Sequence, residues 1–185
     1  MGLQSDMDIS KPAVFLDRDG VVTKEKGYVC SVDDLEIFPY ASECIQQIKN
    51  KGYYTIIVTN QSGIARGLLT ENDLQKMHLY LKQETGVDAV YFCPHHPEGK
   101  IHKYRKICHC RKPETGMIEQ ACSDYKIDID RSFMVGDRAG DIIAGQRMGL
   151  KTILLESGYG LERLEADVKP DYKLKDLRMV ADVLK

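Results

Sequence analysis

The sequence predicts an α/β fold, a doubly wound (Rossmann-like) parallel sheet with helices on both faces. Three observations predict it. Short β-branched or aromatic runs alternate with helical periodicity along the chain, the pattern that covers buried strands with crossover helices. The first apolar run, Ala13 to Leu16, ends in two aspartates one residue apart, Asp17 and Asp19, followed by Gly20. Polar residues recur beyond later runs, at Thr59-Asn60 and Asp137. In a parallel sheet all these positions share the C-terminal edge, where open α/β sheets bind ligands.

The elements follow in order. Residues 1–11 read as a flexible leader, and residues 12–185 as a single domain. After the strand at 13–16, residues 20–38 read as a loop or small hairpin. Pro39 opens a helix in which Ala41, Cys44, Ile45 and Ile48 keep helical spacing, with Gly52 as its stop. Tyr53–Val58 is a second strand. Thr70 caps a helix to about Glu84, with Asp73 completing a capping box. Asp88–Phe92 is a third strand, followed by a polar loop to Pro113. Thr115 is placed to cap a helix whose stripe is Ile118, Ala121, Cys122 and Tyr125. Ser132–Val135, a helix over 139–148, and Thr152–Leu155 follow. A loop over 157–170, an edge strand Tyr172–Leu174 and a last helix capped by Asp176 complete the chain.

Composition narrows the function classes. The 185 residues suffice for one domain with a sizeable core. With 26 basic and 28 acidic residues the net charge is −2, and no basic block suggests a nucleic-acid partner. No apolar run approaches the ~20 residues of a membrane span. Residues 1–11 hold no signal-peptide core, and Asp6 breaks a myristoylation pattern that begins at Gly2. These features predict a cytoplasmic protein with neither nucleic acid nor membrane as partner, and a monomer is the default expectation.

Residues i and i+2 share a face, so Asp17 and Asp19 reach one site. Two adjacent carboxylates repel unless a cation lies between them or one keeps its proton. Three of the six cysteines fall with histidines between Cys93 and Cys110, spaced C-x-H-x12-C-x-C. The same period-2 argument selects Cys93, His95, Cys108 and Cys110 and turns His96 and His109 away. A Cys3His set closes a tetrahedral Zn2+ site, which makes the metal structural. His102 reads as a surface residue, and Cys44 and Cys122 as core.

Asp17 and Asp19, then Thr59, then Lys112, then Asp137 with Asp141 resemble the four motifs of the haloacid dehalogenase-like (HAD) phosphohydrolases. The resemblance implies Asp17 as nucleophile forming an aspartyl-phosphate, and Asp19 as general acid and base. It implies Thr59 and Lys112 as stabilisers of the phosphoryl group. Mg2+ would be held by Asp17, Asp137 and the backbone carbonyl of Asp19, with Asp141 behind them. A proton donor at Asp19 excludes dehalogenation, since a halide leaves without a proton.

The zinc loop narrows the resemblance. Cys93-Pro-His-His-Pro-Glu-Gly99, Cys108-x-Cys110-Arg-Lys-Pro113 and Thr59-Asn-Gln-Ser-Gly-Ile-Ala-Arg-Gly67 are similar to the bacterial heptose bisphosphate phosphatases, over residues 13 to about 155. That family releases the 7-phosphate of D-glycero-D-manno-heptose 1,7-bisphosphate for surface-sugar biosynthesis, and its site has no separate cap domain here to close it. By position it implies substrate contacts at Arg18, Glu25, Lys26, Gly27, Tyr28, Asn60, Gln61, Ser62, Arg111 and Arg138. Arg111 would read the distal phosphate or the sugar. The family often has Lys where Arg138 stands and Thr where Val21 stands. A histidinol-phosphate phosphatase shares the catalytic set, but the 12 residues between His95 and Cys108 favour the heptose enzyme. A silent zinc-stabilised binding module would not need Asp19 as a proton donor.

Overall fold

The computed structural model describes residues 10–159 and 168–185. One parallel sheet runs in the order β3-β2-β1-β4-β5-β6. Its strands are β1 (Ala13–Leu16), β2 (Tyr54–Asn60), β3 (Ala89–Cys93), β4 (Phe133–Gly136), β5 (Lys151–Leu155) and β6 (Tyr172–Leu174). The helices are α1 (Ala41–Asn50), α2 (Glu71–Thr85), α3 (Gly116–Asp124), α4 (Ala139–Arg147) and α5 (Val180–Val183). This is the predicted α/β fold, with strand ends displaced by one or two residues.

β1 is buried along its whole length and pairs with both β2 and β4, Phe15 lying opposite Ile56 and Met134. Its side chains alternate between two apolar layers. Val14 and Leu16 join Ile45 and Ile48 of α1, Leu74, Met77 and Leu81 of α2, and Val180 of α5. Ala13 and Phe15 join Ile118 and Ala121 of α3 and Ala144 of α4. A strand covered on both faces must be apolar throughout, which is why β1 reads as a continuous run.

From β1 the chain moves outward to β3, then returns to β4 on the other side of β1. The topological switch point therefore lies between β1 and β4, where a crevice opens beyond the strand ends. Asp17 and Asp137 are the first residues past those two strands.

The Thr70–Asp73 capping box is present, and Gly86 ends α2 in the left-handed region at φ 74°. Thr115 departs from expectation. Its backbone is already helical (φ −101°, ψ −8°), and its hydroxyl donates to Glu119 Oε1 at 2.5 Å instead of accepting from the helix. A side-chain cap needs extended backbone. Residues 20–38 form no strand pair and are pinned by a lone antiparallel bridge, Thr23 to Ile37. Residues 1–9 of the expected leader lie outside the described residues, but Lys11 is fixed. It bridges to Ile127, and its ammonium stands 4.3 Å from the centre of the Tyr54 ring. Part of the 157–170 loop, residues 160–167, is likewise outside the described residues. No described helix is long and apolar enough to cross a membrane.

Candidate active site and metal centres

The switch point holds a buried charge cluster. Lys112 Nζ donates to Asp17 Oδ1 at 2.8 Å and to the Val58 carbonyl at 2.6 Å, and it lies 2.6 Å from Asp141 Oδ1. Asn60, the last residue of β2, positions this lysine. Its amide accepts from Lys112 N and donates to Lys112 O, both at 3.0 Å. The lysine, remote in sequence, is thereby fastened to the edge of the sheet.

Burial raises the Asp17 carboxyl to about 6 even though Lys112 opposes the shift. Asp137 rises to about 7, through burial and then the charges of Asp17 and Asp141. Burial works against the Lys112 ammonium, yet Asp141 and Asp17 more than offset it and hold its pKa above the usual value.

Carboxylate oxygens of Asp17, Asp137 and Asp141 lie within 4.8 Å of one another. Both Asp141 oxygens are engaged, one by Lys112 and the other by the Arg138 backbone N–H at 3.1 Å. Asp137 differs. Its Oδ2 accepts from Tyr159 N at 2.9 Å, while Oδ1 is buried without a hydrogen bond. Among the described residues the nearest cation to that oxygen is Arg138 Nε, 3.9 Å away. An orphaned carboxylate oxygen beside two more buried carboxylates leaves negative charge uncompensated. Hard oxygen donors of this kind suit Mg2+, so the residues fit a divalent cation. Gly20 allows the close approach. It sits at φ +85°, and a Cβ there would fall 2.5 Å from Asp137 Oδ2.

Asp19 is held on three sides. The Arg18 guanidinium forks onto it (Nε 3.1 Å from both oxygens, Nη2 3.0 Å from Oδ2), Thr23 Oγ1 donates at 3.2 Å and Gln61 Nε2 at 3.0 Å. Gln61 also donates to Thr59 Oγ1 at 2.9 Å.

A cavity of about 470 Å3 opens over this cluster. Asp17, Asp19, Thr59, Lys112 and Asp141 line it, with Glu25, Gly27, Tyr28, Asn60, Gln61, Ser62, Arg111 and Arg138. Two expected contacts do not. Arg18 is 1% exposed and lies behind Asp19, because residue i+1 faces away from its neighbours on extended backbone. Lys26 turns outward to pair with Glu36 at 2.9 Å. Arg138 crosses the mouth, 2.7 Å from Glu25 and 4.2 Å from the Tyr159 ring centre. Sequence reasoning missed Arg66, His96 and Tyr159 as lining residues. For His96 a signal existed: the alternation that aims His95 at the metal aims its neighbour elsewhere.

The second centre gathers Cys93, His95, Cys108 and Cys110. Cys93 Sγ lies 3.4 Å from Cys108 Sγ and 3.0 Å from Cys110 Sγ, and His95 Nδ1 lies 3.3 Å from Cys110 Sγ and 3.7 Å from Cys93 Sγ. Bonds of about 2.3 Å to sulfur and 2.0–2.1 Å to nitrogen make tetrahedral edges of roughly 3.6–3.8 Å. The four donors therefore fit Zn2+ with no position left for substrate. His109 turns out to Glu119 at 2.8 Å, and Tyr104 packs beside His95 with ring centres 6.3 Å apart.

A HAD-hydrolase-like family model matches residues 109–180. The chain is 41% identical over 176 residues to the D-glycero-beta-D-manno-heptose-1,7-bisphosphate 7-phosphatase of Haemophilus ducreyi, covering 91% of this chain and 96% of that protein. It is 44% identical over 154 residues to the D-glycero-alpha-D-manno-heptose-1,7-bisphosphate 7-phosphatase of Photorhabdus laumondii, covering 78% and 82%. The D,D-heptose 1,7-bisphosphate phosphatase of B. bronchiseptica, solved with magnesium and phosphate, shares the fold at a TM-score of 0.81 and 30% identity, over 92% of this chain and 96% of that one. The chain belongs to the HAD phosphatase family whose members are named D-glycero-D-manno-heptose-1,7-bisphosphate 7-phosphatases.

Proposed function

We propose that this chain is a Mg2+-dependent phosphatase that converts D-glycero-D-manno-heptose 1,7-bisphosphate to heptose 1-phosphate, in surface-sugar (lipopolysaccharide core or nucleotide-heptose) biosynthesis. The observation that carries the reading is the buried Asp17–Lys112 pair beside the orphaned Asp137 oxygen, opening into a polar cavity. Relatives named for either anomer match at similar identity, 41% and 44%, so the substrate is stated without an anomer.

An Asp17 oxygen attacks the 7-phosphorus and the bond from phosphorus to the sugar oxygen breaks. Asp19 gives its proton to the departing oxygen. The same carboxylate then takes a proton from the water that attacks the aspartyl-phosphate, which frees phosphate and restores Asp17. Lys112 and the Thr59 hydroxyl hold the phosphoryl oxygens as charge develops on them. Mg2+, held by Asp17, Asp137 and the Asp19 carbonyl, would offset the repulsion between nucleophile and phosphate. Glu25, Gly27, Tyr28 and Arg138 face the sugar, and Arg111 the distal end of the substrate, where a planar guanidinium suits phosphate. Cys93, His95, Cys108 and Cys110 would hold Zn2+, which would fix the loop that delivers Arg111 and Lys112. The protein works as a cytoplasmic monomer without a nucleic-acid or membrane partner, its domain spanning residues 12–185.

The test compares phosphate release from heptose 1,7-bisphosphate and from histidinol phosphate, with Mg2+. A preference of 100-fold or more in kcat/KM for the bisphosphate, about 2.7 kcal/mol, is expected. Preference for histidinol phosphate would overturn the substrate assignment.

A further inference from the structure

A second cluster lines the same cavity, formed of donors that lack acceptors. His96 Nδ1 accepts a hydrogen bond from the Glu98 backbone N–H at 3.1 Å. A neutral imidazole that accepts through Nδ1 carries its proton on Nε2. That Nε2 stands 3.4 Å from Arg66 Nη2, and a guanidinium only donates. Two N–H groups therefore face each other with no acceptor between them. Arg66 Nε is also buried and makes no hydrogen bond. Nε and Nη2 form the edge of a guanidinium that grips two oxygens of one phosphate.

The surroundings keep this edge available. Arg66 and Arg111 have no carboxylate partner among the described residues; Arg111 spends one N–H on the His95 carbonyl at 3.3 Å. The Arg66 guanidinium lies 5.8 Å from the Tyr28 ring centre, a contact that steadies a cation without supplying a lone pair. Two segments build the cluster. The chain after β2 contributes Arg66, whose N–H bonds the Ser62 carbonyl at 3.0 Å, and the zinc loop docks beside it through Ile101 N to Ala65 O at 2.9 Å.

We infer that Arg66 and His96, together with Arg111, form the subsite for the substrate phosphate that is not hydrolysed, and that Arg66 sets the preference for a bisphosphate over a monophosphate. A phosphate dianion supplies the missing acceptor for three N–H groups at once: Arg66 Nε, Arg66 Nη2 and His96 Nε2. The inference rests on the sugar-bisphosphate reading given above.

The experiment measures, for wild type, Arg66→Gln and Arg66→Lys, the ratio of kcat/KM on heptose 1,7-bisphosphate to kcat/KM on heptose 7-phosphate. The ratio is expected to fall at least tenfold in Arg66→Gln, mostly through KM. In Arg66→Lys, which keeps the charge but not the fork, it falls less. An unchanged ratio, with both substrates affected alike, would overturn the inference. If wild type does not act on the heptose, that reading fails by itself. Fructose 1,6-bisphosphate and fructose 6-phosphate then give the same ratio under the same criterion. If no sugar phosphate is turned over, calorimetric titration with inorganic phosphate decides. Two phosphate sites in wild type and one in Arg66→Gln support the subsite; equal counts overturn it.

Discussion

Lys112 Nζ lies 2.8 Å from Asp17 Oδ1, with the side chains only 3% and 10% exposed. A pair this buried must be complete, because removing one partner strands a desolvated charge. The lysine belongs to the segment just past the Cys93–Cys110 ligand cluster, so the pair joins the central strand to the loop that carries that cluster.

Replacing Lys112 with Met, similar in length and uncharged, is expected to lower kcat by about 10²–10³-fold, the usual cost of one preorganised charge-stabilising donor. It also leaves three crowded carboxylates without their cation, which destabilises the protein by about 3–5 kcal/mol. Mg2+ should restore part of the stability and none of the kcat. Urea denaturation with and without Mg2+, beside steady-state rates, reads both effects; a variant as stable as wild type without Mg2+ contradicts the pairing.

Metal-free protein should lose stability as pH rises through the window that ends near 7. Asp17 and Asp137 are pushed up to about 6 and about 7 in the fold, above the ordinary aspartate value of 3.8. The folded state therefore binds more protons than the unfolded chain over this window, and stability falls as those protons leave. A cation takes the place of the protons. The rise in melting temperature caused by Mg2+ should grow between pH 5 and about pH 7 and then level off. An increment independent of pH would contradict the convergent carboxylates.

His78 works in the opposite direction. Burial, and then the nearby Arg18 charge, hold its pKa down at about 3. The unfolded chain binds the extra proton between about 3 and 6.5, so stability drops as pH falls through that range. His78→Leu should flatten this slope in Mg2+-loaded protein, measured as urea stability from pH 4.5 to 7. An unaltered slope would assign the acid sensitivity elsewhere.

Arg18→Gln should depress kcat at least tenfold while moving KM less than twofold. The guanidinium grips Asp19 from behind and lines no part of the cavity, and well-placed proton transfer typically contributes about 10²–10⁴-fold. A change confined to KM would instead put Arg18 on the substrate.

Cys110→Ser should remove zinc and, with it, the order of residues 94–115. That loop has little core of its own: Ile107 is 88% exposed and Ile101 41%. Metal content by emission spectroscopy and amide exchange across the loop check this. The expected outcome is loss of the bound zinc and fast exchange that spreads to Lys112. A protected loop without metal would show that packing alone holds it.

The sequence was most legible where chemistry is tied to strand ends. Asp17, Thr59 and Asp137 each sit at or just past the end of a parallel strand, so periodicity alone brought them to one edge. The zinc set was legible because its ligands come in two i, i+2 pairs. Arg18, which the resemblance placed among the substrate contacts, has its side chain behind Asp19, where alternation sends it. Arg66 was hidden for a different reason, and the alternation that turned His96 from the metal did not show what it would meet. Nothing in local spacing shows that the zinc loop folds back against the segment after β2, since that contact lies between loops. Tyr159 joined the site through its backbone N–H to Asp137, a bond no side-chain pattern reports, and through its ring beside Arg138.

Asp17 as nucleophile is tested most directly by trapping. Enzyme mixed with Mg2+ and heptose 1,7-bisphosphate is quenched in acid within one turnover, digested and read by mass spectrometry. A phosphoryl group on the Asp17 peptide, released by hydroxylamine and absent from Asp17→Asn, is the predicted result. Phosphate release at the wild-type rate from Asp17→Asn, or a phosphoryl group on any other side chain, would contradict it.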